Sequence, residues 1–428
     1  MVFSGIPFLF FFLPLCLILY YAVPFSWKNG ILLIFSLVFY AWGEPLYIFL
    51  MLFSTALDYT NGRLMERFGT TRCRRIFFLC CSICINLSIL AFFKYADFAV
   101  ISVNGLLGTQ FARPGVHLPV GISFYTFQIV SYTGDVYRGE AAQKNPVHLA
   151  VYIAMFPQLI AGPIVRYHDI AGQLEARAHS LSGAASGIRR FVIGLAKKIL
   201  IANQLGELCS VFHTSGEKSV LFYWMYAVSF ALHIYFDFSG YSDMAIGLGG
   251  MFGFSFPENF NYPYNAKSVT EFWRRWHISL GQWFRDYVYI PLGGSRVSIL
   301  RHILNLFVVW FLTGLWHGAS WSFIAWGLGY FVLLFIEKFI VKPSKRNCIL
   351  RILWQVFTLI SVNFGWVIFN SVGISMGLRF CFGMLGYYNT SWEIDSNVIY
   401  FLREYGAYML MGIIFAMPVA GMLSVQIE

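Results

Sequence analysis

Charge is what this chain has least of. Asp, Glu, Lys and Arg make up 12% of its 428 residues, while 58% are hydrophobic and the mean hydropathy is +0.65. Soluble domains carry roughly 25% charged residues, so a water-soluble globular protein is excluded. Acidic residues are scarcer than basic ones, 20 against 30, which leaves a formal net charge of +10. A nucleic-acid binder does not follow, because the basic residues stand in short blocks between apolar runs. Arg63, Arg67, Arg72, Arg74 and Arg75 form one block, and Lys338, Lys342, Lys345, Arg346 and Arg351 another. Short basic loops beside membrane spans mark the cytoplasmic side. Both blocks are therefore expected inside, and the loop Tyr387–Glu404, with Glu393, Asp395 and Glu404 against Arg403 alone, outside.

Other things are missing too. No soluble domain, low-complexity linker or internal repeat interrupts the chain. The N-terminus has neither a basic leader nor a small-residue cleavage site, so its first apolar stretch reads as a retained span. Among the eight cysteines, Cys80, Cys81 and Cys84 include a C-x-x-C spacing within the apolar run from Ile76 to Phe93. No second pair at zinc-like spacing accompanies them. They read as buried thiols acting as small hydrophobes, not as a metal or redox site.

Apolar runs of the ~17–25 residues that cross a bilayer recur from end to end. They begin near Ile6, Ile31, Ile76, Val147, Ile188, Val220, Leu300, Ser320, Leu350 and Ala407. Two shorter pieces broken by Gly and Pro, Leu118 to Tyr132 and Ser242 to Phe254, suit re-entrant backbone, which is tolerated only where protein buries it or it lines a wet cavity. The expected fold is an all-α polytopic membrane protein, one domain over residues 1–428. It has about ten to twelve transmembrane helices, with re-entrant and interfacial amphipathic helices around a central chamber. With aromatics at 19% and 45 Phe, interfacial belts are well supplied.

Three constellations could carry chemistry. His317 stands in Leu312-Thr-Gly-Leu-Trp-His-Gly-Ala-Ser-Trp321, between two apolar spans. An ionisable group at membrane depth is costly unless protein buries it or it faces water. Counting spans back from the basic block at Lys338 puts His317 toward the outer half, at the turn of a helical hairpin. The second constellation is Phe272-Trp-Arg-Arg-Trp-His277. At 3.6-residue spacing, Trp273, Trp276, Leu280, Trp283, Phe284 and Tyr287 share one arc, with Arg275, Ser279, Gln282 and Asp286 opposite. Arg274, Gly281 and Arg285 form a third stripe with His277 at its edge. One reading is an interfacial anchor with its arginines on lipid phosphates. The other turns the Arg–His stripe toward a chamber, where Arg274, Arg275 and Arg285 would hold a donor's phosphates. The third constellation is Tyr235-Phe-Asp-Phe-Ser-Gly-Tyr-Ser-Asp243. Gly240 allows a break there, and Asp237 and Asp243 read as caps or as partners of Arg274, Arg275 or Arg285. A carboxylate orienting one of the histidines is the alternative.

The remaining histidines read as structural. His148, His168, His179 and His302 lie near polar or basic loops and suit an interface, and His233, one turn before Asp237, suits a satisfied hydrogen bond. His117 and His213 sit at span ends. Asn389-Thr-Ser391 has the spacing of a glycosylation acceptor, which a bacterial setting would leave idle.

The order of Gly121-Ile-Ser-Phe-Tyr-Thr-Phe127, Phe156-Pro-Gln-Leu-Ile-Ala-Gly-Pro163, the Asp-Phe-Ser-Gly-Tyr-Ser-Asp stretch, Phe272–His277, Arg285-Asp-Tyr-Val-Tyr-Ile-Pro291 and Trp316-His317-Gly318 resembles the membrane-bound O-acyltransferases. Within them it is most similar to the branch that O-acetylates alginate and peptidoglycan. The D-alanyl branch acting on teichoic acids shares the layout, but Asp243 after Gly-Tyr-Ser and the Tyr-Ile-Pro-Leu-Gly-Gly run resemble the acetyl branch better. The resemblance covers residue 1 to about 340. It implies His317 as the catalytic histidine and His277 as its less essential companion, with no metal and no permanently bound cofactor. Such chains usually continue beyond Ser424-Val-Gln-Ile-Glu428 into a further span, so a shortened or compact C-terminus is expected. The resemblance also implies a bacterial inner-membrane setting, acetyl-CoA or another acetyl thioester as donor, and a polysaccharide acceptor. That acceptor would be reached through a separate outer-face, SGNH-type acetyltransferase, since no Gly-Asp-Ser-type nucleophile domain is fused here.

The chemistry then assigns roles. Moving an acyl group from a thioester to a hydroxyl needs a base, and a neutral imidazole suits that near pH 7. His317 takes this part. Trp273, Trp276 and Trp316, with the three arginines, are expected at the donor, and Asp237, Tyr241 and Asp243 in structural or orienting positions. A polysaccharide transporter or channel and a recruiting scaffold are the rivals from other classes.

Overall fold

A computed structural model describes residues 1–216, 218–342, 347–387, 392 and 396–419. Every regular element among them is a helix. Lys345, Arg346, Asn389–Ser391, Glu393, Asp395 and the C-terminal Ser424–Glu428 lie outside the described residues.

Among the described residues, six helices are long and apolar enough to cross a membrane. They are Arg72–Leu107, Val220–Met251, Ile299–His317, Trp321–Val341, Cys348–Phe369 and Ser396–Phe415. Five of them start at or near apolar runs read from the sequence. The sixth, Ser396–Phe415, starts eleven residues before the run expected from Ala407, inside the segment Tyr387–Glu404 expected as an outer loop. Of three shorter apolar helices, Phe8–Ala22 and Phe25–Ala41 carry the runs from Ile6 and Ile31, and Ile374–Met384 is one the sequence reading did not name. The run from Val147 gives only Pro146–Ala154 before the backbone breaks at Met155, ahead of Phe156-Pro157. A proline lacks the N–H that would continue the ladder.

The chain divides into two compact units. The first comprises Met1–Ile193 and Tyr241–Glu258. Its helices Ile48–Phe68, Arg72–Leu107 and Ile122–Arg138 are joined by a buried carboxylate. Asp58 accepts from Asn86 Nδ2 at 2.6 Å, from Thr133 Oγ1 at 2.9 Å and from the Ser82 hydroxyl. Three donors on two neighbouring helices make a charge tolerable where water is absent. The same unit holds a cluster of Phe3, Phe8, Phe12, Phe39 and Phe156, with edge-to-face contacts between Phe3 and Phe156, Phe8 and Phe39, and Phe12 and Phe156. The Gly- and Pro-broken segment from Leu118 leads into Ile122–Arg138, a helix buried along most of its length.

The second unit comprises Gly194–Gly240 and Asn259–Glu428. Its centre is aromatic, with Trp276, Trp310, Trp326, Tyr330 and Trp366 all buried. The helices Ile299–His317 and Trp321–Phe335 form a tight hairpin. A Cβ on Gly314 would lie 2.5 Å from the Phe323 carbonyl oxygen, and one on Gly327 would lie 2.5 Å from that of Trp310. Small residues let helix backbones approach in this way where no hydrophobic effect drives them together.

Two expectations fail. Gly240 does not break the chain, and Val220–Met251 runs as one helix of 32 residues. Its glycines serve close approach instead: a Cβ at Gly240 would meet the Gly194 carbonyl oxygen at 2.7 Å, and one at Gly247 that of Gly187 at 2.6 Å. The C-x-x-C thiols are not buried either. Cys80 and Cys84 are exposed and Cys81 half-buried, on a helix that turns most of its apolar surface outward, as lipid contact allows.

Candidate functional site

The segment holding His277 is not the single amphipathic helix its sequence periodicity predicts. Ser268 caps Val269–Arg275, its Oγ accepting from Glu271 N at 3.2 Å. That helix ends at Trp276, and His277 adopts a left-handed backbone, φ 45 and ψ 54. A second short helix, Ile278–Phe284, follows, and a π-turn, Arg285–Tyr289, closes the segment. A non-glycine residue in this conformation costs about 1–2 kcal/mol. Such strain persists only where the surroundings over-determine it.

The surroundings here are the strand-like loop at Asn259–Asn261. Ile278 N donates to Asn259 O at 2.9 Å, and Asn261 N to Arg275 O at 2.9 Å, strapping the loop across the break. The Asn259 side chain, fully buried, reaches the same point. Its Oδ1 lies 2.8 Å from Ser279 Oγ, 3.3 Å from Ser279 N and 3.0 Å from His277 Nδ1. His277 is 2% exposed, and its Nε2 is buried without a hydrogen-bond partner among the described residues. Phe238 meets the ring edge-on at 4.7 Å between centroids. Burial, and then the neighbouring His317, hold its pKa well below the usual histidine value, so the ring is neutral at pH 7.

His317 ends the first arm of the hairpin, and Ser320 caps the second arm, accepting from Ser322 N at 3.3 Å. The turn expected from the sequence is therefore present. His317 is half-buried among Trp316, Trp326 and Phe369, with ring centroids at 4.9, 5.0 and 5.2 Å. The Trp316 ring also lies 6.0 Å from that of His277.

A cavity of about 250 Å³ opens beside them. His277, Trp273, Trp276, Leu280, Phe284 and Trp310 line it, with Arg285 and Lys338 as its cationic residues. Lys338 Nζ and Tyr289 Oη each lie 3.0 Å from His302 Nε2. Arg274 is exposed and close enough to Lys338 for their charges to repel. Neither has a carboxylate partner among the described residues. The cavity is thus apolar along its length and cationic on one side, a shape for an amphiphile with an anionic end.

The predicted residues divide accordingly. His277, Trp273, Trp276 and Arg285 line one cavity, and Trp316 and His317 lie beside His277. The arginine stripe is split by the helix break. Arg275 turns back to Glu271, 2.7 Å away, and Arg285 bonds to Asp286 at 2.8 Å. Asp237 does not pair with these arginines; it is bound by Lys198. Asp243 is bound by Arg190 at 2.7 Å, and Tyr241 stacks on Phe3 at 4.6 Å, both within the first unit. Asp237 and Asp243 thus take Lys198 and Arg190 as ion-pair partners, not the arginines of the stripe. His302 is buried against Tyr289 and Lys338. His233 is the satisfied structural histidine expected, its Nδ1 2.7 Å from Ala202 O.

Sequence reasoning missed Asn259, Ser279, Lys338 and His302. Asn259 could have been suspected, because an amide in so apolar a chain is costly unless it is bonded. Its partner stands 18 positions away, beyond any local period. Lys338 belongs to the basic block that the sequence assigns to the cytoplasmic side.

The model of the membrane-bound O-acyltransferase family matches residues 45–380. The probable alginate O-acetylase AlgI of Azotobacter vinelandii is 42% identical over 392 residues, covering 90% of this chain and 78% of its own. The peptidoglycan O-acetyltransferase of Helicobacter pylori is 32% identical over 449 residues, 96% of this chain and 85% of its own. The teichoic acid D-alanyltransferase of Bacillus subtilis is 30% identical over 276 residues, 59% of this chain and 68% of its own. A family match across most of the chain, with relatives of this likeness, means that the chain belongs to the membrane-bound O-acyltransferase family.

Proposed function

We propose that this chain takes an acetyl group from a cytoplasmic thioester, acetyl-CoA or another acetyl thioester, and passes it across a bacterial inner membrane for O-acetylation of an extracytoplasmic polysaccharide. A separate outer-face, SGNH-type acetyltransferase completes delivery to the polymer. The observation that carries this reading is the cavity at His277, apolar along its walls and cationic at Arg285 and Lys338. A thioester donor has the matching form, an uncharged arm with phosphates at one end. Guanidinium and ammonium groups bind phosphate through charge-assisted hydrogen bonds. Arg274, exposed beside Lys338, widens that basic end. The shorter helices Phe8–Ala22, Phe25–Ala41 and Ile374–Met384 join the six long ones in the membrane, toward the ten to twelve crossings read from the sequence.

In the reaction, the acceptor oxygen bonds to the acyl carbon and the carbon–sulfur bond breaks. His317 takes the proton from the attacking hydroxyl and returns it to the departing sulfur, so no proton is gained or lost overall. The aromatic rings of Trp316, Trp326 and Phe369 around His317 keep out water, which would otherwise hydrolyse the thioester. His277 assists from the cavity wall.

His317→Ala is the test. The residue ends a helix at a turn, so the variant should insert at the wild-type level while polymer O-acetylation falls at least a hundredfold, the low end for a lost general base (~10²). His317→Gln should not restore it, because an amide cannot take up the proton. Near-normal acetylation in His317→Ala at equal expression would leave a transporter or a recruiting scaffold as the better description.

A further inference from the structure

We infer that Asn259 is a positioning residue for His277, holding the neutral ring with its proton on Nδ1 and its lone pair on Nε2. This rests on the reading of His277 as part of the reaction chamber.

One group here has no choice of role. The backbone N–H of Ser279 can only donate, and it points at the Asn259 side-chain atom 3.3 Å away. That atom is therefore the amide oxygen and not the nitrogen. The Ser279 hydroxyl, at 2.8 Å, donates to the same oxygen. A carbonyl oxygen cannot donate, so His277 Nδ1, 3.0 Å from it, must be the atom that carries the hydrogen. One proton on a neutral imidazole leaves the other nitrogen bare. Nε2 is that nitrogen, buried, with no partner among the described residues and on a ring that lines the donor cavity.

The backbone makes the arrangement rigid. Asn259 O receives Ile278 N while Asn259 Oδ1 receives Ser279 N, so one residue binds both positions after the break. The left-handed conformation of His277 turns the ring out of the helical path and back onto Asn259. A ring free to flip would present either nitrogen and would spend part of its time as a donor. Held this way, His277 presents only an acceptor, toward a hydroxyl or amide hydrogen of the substrate.

The test uses the full-length protein in lipid bilayers with ¹⁵N-labelled histidine. Ring-nitrogen signals of His277, assigned by their loss in His277→Gln, should report a protonated Nδ1 and a bare Nε2. Asn259→Leu removes the fixed acceptor, so the His277 signals should move to the other tautomer or to a mixture, with donor turnover reduced tenfold or more. Unchanged signals in Asn259→Leu would overturn the inference. Should that variant fail to insert, Asn259→Asp, of the same size, decides instead. A carboxylate favours the imidazolium and raises the His277 pKa, so the acidic limb of turnover should move to higher pH, because the working form is the neutral one. An Asp variant with lower activity but an unmoved limb would mean that Asn259 only supports the fold. If His277→Gln itself leaves turnover intact, the chamber reading fails, and the nitrogen signals still decide the role of Asn259.

Discussion

The helical hairpin that carries His317 makes a prediction whose size can be worked from two glycines on one helix. Gly327 and Gly329 both lie inside Trp321–Phe335. A Cβ at Gly327 would sit 2.5 Å from the Trp310 carbonyl oxygen and 3.0 Å from the Gly314 Cα, both backbone atoms of the facing helix. A Cβ at Gly329 would meet nothing within 4 Å. Replacing either glycine by alanine raises helix propensity by the same amount, about 0.8–1.0 kcal/mol in water. Whatever that gain becomes in lipid, it cancels when the two variants are compared. What remains is the overpacking at Gly327, about 1–3 kcal/mol, since backbone cannot rotate away as a side chain can. Gly327→Ala should therefore be less stable than Gly329→Ala by that amount, with Gly329→Ala at or above wild type. Unfolding of the purified protein in mixed micelles, titrated with a denaturing detergent, measures the gap. Acyl transfer per folded molecule should also fall in Gly327→Ala, because Gly314, its counterpart, stands three residues before His317. Equal stability of the two alanine variants would refute the claim that bare backbone contact holds the hairpin closed.

Two further outcomes are expected. Lys338→Gln, alone and with Arg274→Ala, should raise the donor concentration needed for half-maximal turnover, because each charge-assisted bond is worth about 1.5–3 kcal/mol; an effect on expression alone would leave the basic end of the cavity without a donor role. Single cysteines on a cysteine-free background should be labelled from the cytoplasm at Arg72–Arg75 and from outside at Tyr387, and the reverse pattern would invert the orientation of His317.

What the sequence reveals and what it hides follows from the range of the forces involved. Spans were legible because bilayer thickness imposes a run length that any window detects, and five of the six long helices start at or near runs read that way. Ser396–Phe415 starts earlier, where Arg403 and Glu404 read as loop. The hairpin turn at His317 was legible for the same reason, being an ionisable residue between two such runs. The helix break at His277 was not, because its cause is remote. Locally, Phe272 to Tyr289 has an unbroken 3.6-residue pattern, and Trp276, Leu280, Trp283 and Phe284 are indeed buried as that pattern predicts. The loop at Asn259 overrides it, from 18 residues upstream. Gly240 misled in the opposite sense. A glycine in an apolar run can mean a hinge or a close approach, and only the position of the Gly194 carbonyl decides between them. The pairings of Asp237 and Asp243 were likewise a matter of three-dimensional neighbours, Lys198 and Arg190, that composition cannot rank.

The same comparison explains why a strained backbone stands at this point and not elsewhere in the second unit. A continuous helix through Trp276 and His277 would leave the histidine on the wheel position next to Arg274, at the edge of the basic stripe. The break instead buries His277 with Asn259 while leaving Arg274 exposed and Arg285 on the cavity wall. Left-handed strain of about 1–2 kcal/mol is opposed here by Ile278 N on Asn259 O and by three contacts on Asn259 Oδ1. At a net ~0.5–1.5 kcal/mol each, these bonds exceed the strain, so the conformation is stable without a ligand. The neutral imidazole is thus already fixed before a donor arrives, and binding need not supply the energy to orient it. A site that must pass an acyl group without losing it to water gains from such rigidity, since a histidine that had to reorient during turnover would leave the thioester waiting.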